Sequence, residues 1–262
     1  MMRPFWVGNL TREVYKAVLQ IDPGDFEAEH RARRALGDTN ERRILSGLRA
    51  WLREIFPNND TQVTFWEQRF ASGEGRFRDV LSRVLQDSVD LGTNIALDQA
   101  ETVGLGFDYT LVNTRARNWA EKHTDVLLRQ LGTTTKDTVG NSIARWIENG
   151  EPMSALVRDL RNSGFSKRRA KLIASTETTR AAAEANAIAY KDMDVTHWEW
   201  STANDERVCP ICGPLGGMEL ADGVAQPQAI DDQRGQQSKI GVPFRHPTSG
   251  VTYKSPPAHP GC

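Results

Sequence analysis

The chain has 262 residues, of which 39% are apolar and 26% charged, which allows a real hydrophobic core in one large domain or two modest ones. Its formal charge of −1 and pI near 6.5 exclude a nucleic-acid coat protein as a whole. No stretch approaches the ~20 apolar residues of a membrane helix, the N-terminus lacks the apolar core of a signal peptide, and three cysteines without a paired framework fit a reducing cytoplasm.

Up to about Met193 the sequence reads as helical almost throughout. Ile44, Leu45, Leu48, Trp51, Leu52 and Ile55 recur at three and four, the mark of one apolar helical face, and Pro57 ends it. Phe77, Val80, Leu81, Val84, Leu85, Leu91, Ile95 and Ala96 carry the same period from about Glu74 to Val103, where Gly104-Leu105-Gly106-Phe107 punctuates the chain. Ala116, Trp119, Ala120, His123, Leu127 and Leu131 predict a third helix, capped by Thr114 and stopped at Gly132. His123 on that apolar stripe reads as a satisfied boundary histidine. Val139, Ile143, Trp146 and Ile147 follow, closed by Gly150, and then Met153, Leu156, Val157 and Leu160, closed by Gly164. The last helix is expected from Ser166 to Met193. It turns Ile173, Ala174, Ala181, Ala185 and Ile188 to a neighbour, and the small alanines allow a close approach.

Beyond Met193 the character changes. His197-Trp198-Glu199-Trp200-Ser201 alternates like a strand, Val251-Thr252-Tyr253 suggests another, and Gly and Pro are dense between them. Such a segment buries little apolar surface, so a bound metal would supply folding free energy. The residues for one are present. Cys209-Pro210-Ile211-Cys212 and His259-Pro260-Gly261-Cys262 form two short chelates separated by 46 residues, 213 to 258. Thiolate and imidazole suit zinc, and paired chelates build a tetrahedral site. Cys209, Cys212, His259 and Cys262 are the expected ligands, with His246 an alternative to His259. A redox Cys-x-x-Cys would need a helix after it, whereas Gly213-Pro214 breaks one. A structural disulfide would leave one cysteine over. The expected fold class is therefore mainly α, with a small irregular α+β C-terminal lobe stabilised by metal.

Basic residues cluster in two places. Seven arginines between Arg31 and Arg53 face only Asp38 and Glu41, and six Lys or Arg between Arg158 and Lys171 face only Asp159. Each cluster reads as a solvated helix face or as a surface for phosphate or an acidic partner.

Four segments in fixed order then carry a resemblance: Ile173-Ala174-Ser175-Thr176-Glu177-Thr178-Thr179-Arg180-Ala181; Trp200-Ser201-Thr202; Asp205-Glu206-Arg207-Val208-Cys209-Pro210-Ile211-Cys212; and Pro256-Pro257-Ala258-His259-Pro260-Gly261-Cys262. From about Leu131 to Cys262 the chain resembles the Mu F-like minor head proteins of tailed bacteriophages. The resemblance implies a non-enzymatic head-morphogenesis protein of the virion, made in the host cytoplasm and packaged near the portal protein. Capsid or scaffolding protein are further partners, and some relatives have a link to genome ejection. It divides the chain into a variable helical region (1–112), a helical core (113–193) and a zinc-binding-like lobe (194–262), without an appended toxin or enzyme domain. Thr176, Glu177, Arg180, Trp200 and Asp205 are its structural motif residues. Glu177 lies three residues from Arg180, and Arg180 four from Glu184, so all share one helix face and can pair. They are expected to fasten the helix to the zinc-bearing segment or to a partner, unless the face is merely solvated. Asp205 could cap the metal turn or orient a ligand.

Two rival functions remain. A metal-dependent nuclease could use His246, His259 and Asp205, but catalytic zinc keeps an open position and a Cys₃His set closes it. A zinc-ribbon nucleic-acid binder would take its phosphate contacts from the Arg/Lys clusters of the helical half, since the lobe is poor in them.

Overall fold

The structure, a computed structural model, describes residues 2–7, 23–57, 65–102, 104–200, 209–215, 219–221, 244–245 and 252–253; at 2–7, 23–30, 102, 196–200 and 219 onward it is the backbone that is described. Five helices make up most of it: α1 (Pro23–Ile55), α2 (Trp66–Thr102), α3 (Tyr109–Asn149), α4 (Met153–Asn162) and α5 (Lys167–Asp192).

Each helix boundary has a local cause. Pro23 opens α1, where its missing N–H is one of the orphan donors anyway, and Pro57 cannot continue the helix. Gly104 adopts a left-handed φ of 69° after α2, and Leu105 N–H closes the end on the Ala100 carbonyl at 2.8 Å. The Asp108 side chain caps α3 by accepting from Leu111 N–H at 3.0 Å, and Gly150 (φ 62°) ends it. Ser166 caps α5 through Arg169 N–H.

The core forms where the apolar faces of all five helices meet. Trp51 lies at its centre, ring centroids 4.7 Å from Phe70, 5.3 Å from Phe77 and 6.1 Å from Phe165, with Nε1–H donating to the Phe70 carbonyl at 2.9 Å. Burying aromatic rings of this size contributes about 2–3 kcal/mol each. α2 and α5 touch backbone to backbone: a Cβ on Gly92 would stand 2.7 Å from Ala182 Cα. The close approach expected from the α5 alanines is thus realised. A second cluster at the far end joins Ala96, Ala100, Val112, Tyr190, Met193, Val195 and Leu215.

Two expectations need correction. The segments read as separate helices on either side of Gly132 are one helix of 41 residues, α3. Thr114 is inside it and donates to the Thr110 carbonyl at 2.7 Å, so it is no cap. Gly132 does not stop the helix because it is buried against the Glu74 carboxylate. The hydroxyls of Thr133, Thr134 and Thr138 donate to carbonyls four residues back, which removes their competition with the helical ladder. The division placed between residues 112 and 113 falls in the first turn of this helix.

The second correction is at the N-terminus. Met2–Val7 is a strand, β1, and it pairs antiparallel with β2 (Val195–Trp200) from Met2↔Trp200 to Val7↔Val195. β2 in turn pairs with β3 (Glu219–Ala221), so the sheet order is β1-β2-β3. Pro4 is tolerated because β1 is an edge strand. The pairing spans nearly two hundred residues of chain, which local periodicity does not reveal. Phe244–Arg245 (β4) and Thr252–Tyr253 (β5) form a separate two-stranded pair, and the strands anticipated at 197–201 and 251–253 are present at 197–200 and 252–253, with Ser201 and Val251 outside the described residues.

Candidate functional site

The motif helix α5 carries its signature inward. Glu177 is 3% exposed, and its carboxylate joins two helices. Oε2 lies 2.8 Å from His123 Nε2 on α3, and Oε1 accepts from Arg180 one turn along α5. The imidazole is stacked on Trp119, centroids 4.7 Å apart and planes within 12°. The Glu177–Arg180 pair thus forms as its spacing predicts, but Glu177 is buried and fastens α5 to α3. The His123 partner is what the sequence left out; its polar side chain on the apolar stripe of α3 was the available signal.

The next residues continue the lock. Thr178 Oγ1 accepts from Asn40 Nδ2 of α1 at 3.0 Å, and the same amide donates to Ser88 Oγ of α2 at 3.3 Å. All three are buried, so one turn of α5 is tied by hydrogen bonds to α1 and α3 and, through Asn40, to α2. Thr176 is buried too and donates to the Leu172 carbonyl at 2.7 Å. Buried polar networks that are satisfied fix register more than they add stability.

At the start of α5 the Arg169 guanidinium turns in to donate to the Gly164 carbonyl at 2.7 Å and Thr134 Oγ1 at 2.9 Å. Burial pushes its pKa below the ordinary arginine value. At the α2–α3 seam the opposite holds: hydrogen bonds of 2.9 and 2.6 Å from Arg117 to Asp90 raise the guanidinium pKa.

The cysteine turn sits at the other end of α5. Cys209 is half-buried and Cys212 buried. Gly213 N–H donates to the Cys209 carbonyl at 2.9 Å, and Cys212 N–H points at Cys209 Sγ at 3.2 Å. Leu215, fully buried, anchors the turn on Tyr190, Met193 and Val195. A tight turn bearing two sulfurs, with a backbone N–H donated to one of them, fits a pair of thiolate ligands and supplies half a tetrahedral set. A 3-10 turn follows, Gly213–Leu215, rather than the α-helix that a thioredoxin-type site requires. No group of three or more His, Cys, Asp or Glu gathers among the described residues. His259, Cys262, His246 and Asp205 lie outside them, and Trp200 is placed only as the β2 residue opposite Met2.

Fold and site together define a helical scaffold whose signature helix is held to its neighbours by buried polar contacts and leads into the central strand of a small sheet. Residues 137–262, just under half of the chain, match the family described as Phage Mu protein F like protein, so that segment is similar to the Mu F-like phage proteins. No curated protein and no solved structure matches it. The matched segment begins inside α3 and includes Glu177, Thr178 and Arg180, whereas His123, Asn40 and Ser88 lie before it. The N-terminal part therefore supplies the interhelical partners of Glu177 and Thr178. Among the described residues no helix is long and apolar enough to cross a membrane.

Proposed function

We propose that the protein is a non-enzymatic minor component of the phage head that acts in head morphogenesis at the portal vertex. The family match over 137–262 is the observation that carries this reading. The interlocked helices support it, since a part that must hold its shape within an assembly gains from polar contacts that fix helix register. Its partners are the portal protein and, beside it, capsid or scaffolding protein. It is packaged in the virion and contributes to orderly genome ejection.

The C-terminal lobe is held by one structural zinc on Cys209, Cys212, His259 and Cys262. Zinc bound there supplies folding free energy to a segment with few apolar residues. The geometry of the Cys209–Cys212 turn supports this half of the site. A set of three thiolates and one imidazole leaves no open position for water, so no catalytic role is assigned to the metal.

Quantitative mass spectrometry of purified particles, normalised to the portal protein, tests the reading. A few intact copies per portal are expected. Absence from both mature particles and assembly intermediates would refute it.

A further inference from the structure

We infer that the corner formed by α4, the turn after it and the first turns of α5 is a binding surface for the phosphate backbone of double-stranded DNA. Six cations lie between Arg158 and Lys171 against the single acid Asp159, and the structure separates their roles. Arg169 is turned inward onto carbonyls. Lys167 reaches Glu41 at 3.8 Å. Asp159 is itself engaged, accepting from Ser142 Oγ at 2.7 Å and from Arg145 at 3.2 Å. Four cations are left: Arg158, Arg161, Arg168 and Lys171. All four are exposed, and none has a carboxylate partner among the described residues.

Helical geometry groups them. Arg158 and Arg161 are three apart on the solvent face of α4, opposite the buried Leu156 and Leu160. Arg168 and Lys171 are three apart on the solvent face of α5, opposite the buried Ala170, Ile173 and Ala174. A three-link turn joins the faces: Ser163 N–H donates to the Asp159 carbonyl, Phe165 N–H to that of Leu160 and Ser166 N–H to that of Ser163. The buried Phe165 ring pins that turn to Trp51.

The placement runs against helix stability. Cations are unfavourable at a helix N-terminus, where the backbone dipole is already positive, and α5 has no acid in its first turn. Solvation alone does not explain three successive cations there; an anion brought to the corner would reverse the penalty. The second basic cluster is more fully committed. Arg43 pairs with Asp87, and Arg31, Arg33 and Arg34 are engaged, which leaves Arg42, Arg49 and Arg53 facing solvent on α1.

DNA suits the corner better than an acidic protein surface does. Protein interfaces centre on desolvated apolar anchors, and here Leu172, 43% exposed, is the single large apolar side chain beside the four cations. A phosphate backbone asks for charge and donors alone and is bound without regard to sequence. The inference stands apart from the head-assembly reading: DNA binding could hold for a protein with another role, and the particle experiment above does not decide it.

Fluorescence anisotropy of the full chain with a 30-base-pair duplex of arbitrary sequence tests it. Four phosphate contacts predict a slope of about −3.6 in log K against log salt, a loss of roughly 100-fold between 50 and 200 mM. The variant R158Q/R161Q/R168Q/K171Q is expected to lose most of that slope and at least ten-fold in affinity at 100 mM salt, with a thermal midpoint no lower than the parent's. The variant R42Q/R49Q/R53Q should bind as the parent does. An equal loss in both variants would assign binding to overall charge, and an unchanged slope in the first would place it elsewhere; either overturns the inference. So would a first variant that keeps DNA binding and loses portal binding, because the corner would then serve an acidic protein.

Discussion

Glu177 owes its importance to where it is buried. A carboxylate that is 3% exposed pays a desolvation cost of several kcal/mol, which here is offset by His123 from one side and Arg180 from the other. Glu177→Ala should therefore cost about 3–4 kcal/mol, since it strands both partners and leaves a void. His123→Ala should cost less, because Arg180 still faces the carboxylate. Urea unfolding of both single variants and the double variant would give the coupling. A penalty under about 1 kcal/mol for Glu177→Ala would show that the carboxylate is solvated after all. The pairing of Glu177 with Arg180 was legible from their spacing. The burial was not, because it depends on a histidine 54 residues away in sequence that only the packing of α3 brings near. A second carboxylate gives a pH dependence. Burial against α3 pushes Glu74 above its ordinary value, and the nearby Lys136 charge only partly opposes this. A raised carboxylate pKa means that the folded state holds the proton more tightly. Its contribution is thus present below the unfolded value of about 4.3 and is lost as pH rises through the folded value. Glu74→Gln should flatten the dependence of the melting temperature on pH above the unfolded value of about 4.3. An identical profile in the variant would remove Glu74 from the account.

Whole helices show why glycine is a poor guide without its surroundings. Gly92, Gly104, Gly132 and Gly150 all interrupt or border helical periodicity in the sequence, but only Gly104 and Gly150 take the left-handed conformation that ends a helix. Gly92 and Gly132 are interior residues that make room for a neighbour, and their neighbours differ in stiffness. A Cβ at Gly92 would overlap the backbone of Ala182, which cannot yield without separating α2 from α5. At Gly132 it would meet the tip of Glu74, which can swing toward solvent. Gly92→Ala should cost about 3 kcal/mol or more through overpacking. Gly132→Ala should be near neutral, because a gain of about 1 kcal/mol in helix propensity offsets the displaced carboxylate. Thermal melts of the two variants should separate by many degrees, and overlapping melts would contradict the backbone contact. The apolar faces of α1, α2, α4 and α5 were readable from period and caps alone. The continuity of α3 through Gly132 was not, since it rests on contacts with α2.

For the molecule as a whole, the described parts of the chain after α5 are tied to the helical body at three places. β2 continues from α5, Leu215 packs into the end of the bundle, and β1 brings the chain's own N-terminus into the sheet. The change of composition after Met193 marked where the helices end, whereas β1 is a non-local pairing invisible to periodicity. If one zinc holds Cys209, Cys212, His259 and Cys262, its loss should be felt along these ties in order. Bound structural zinc supplies on the order of 10 kcal/mol to small sites, far more than β2, β3 and the short β4–β5 pair can provide unaided. The helical core, packed around Trp51, does not depend on it. Cys212→Ser, His259→Ala or chelation of the native protein should therefore release about one zinc per chain in a colorimetric assay. Limited proteolysis should then cut first beyond Met193 and next at the N-terminal strand, which loses its partner, while the helical signal and its melting midpoint stay as before. Full zinc retention by either variant would mean that the ligand set is wrong. Loss of zinc with collapse of the helical melt would mean instead that the lobe and the bundle fold as one unit.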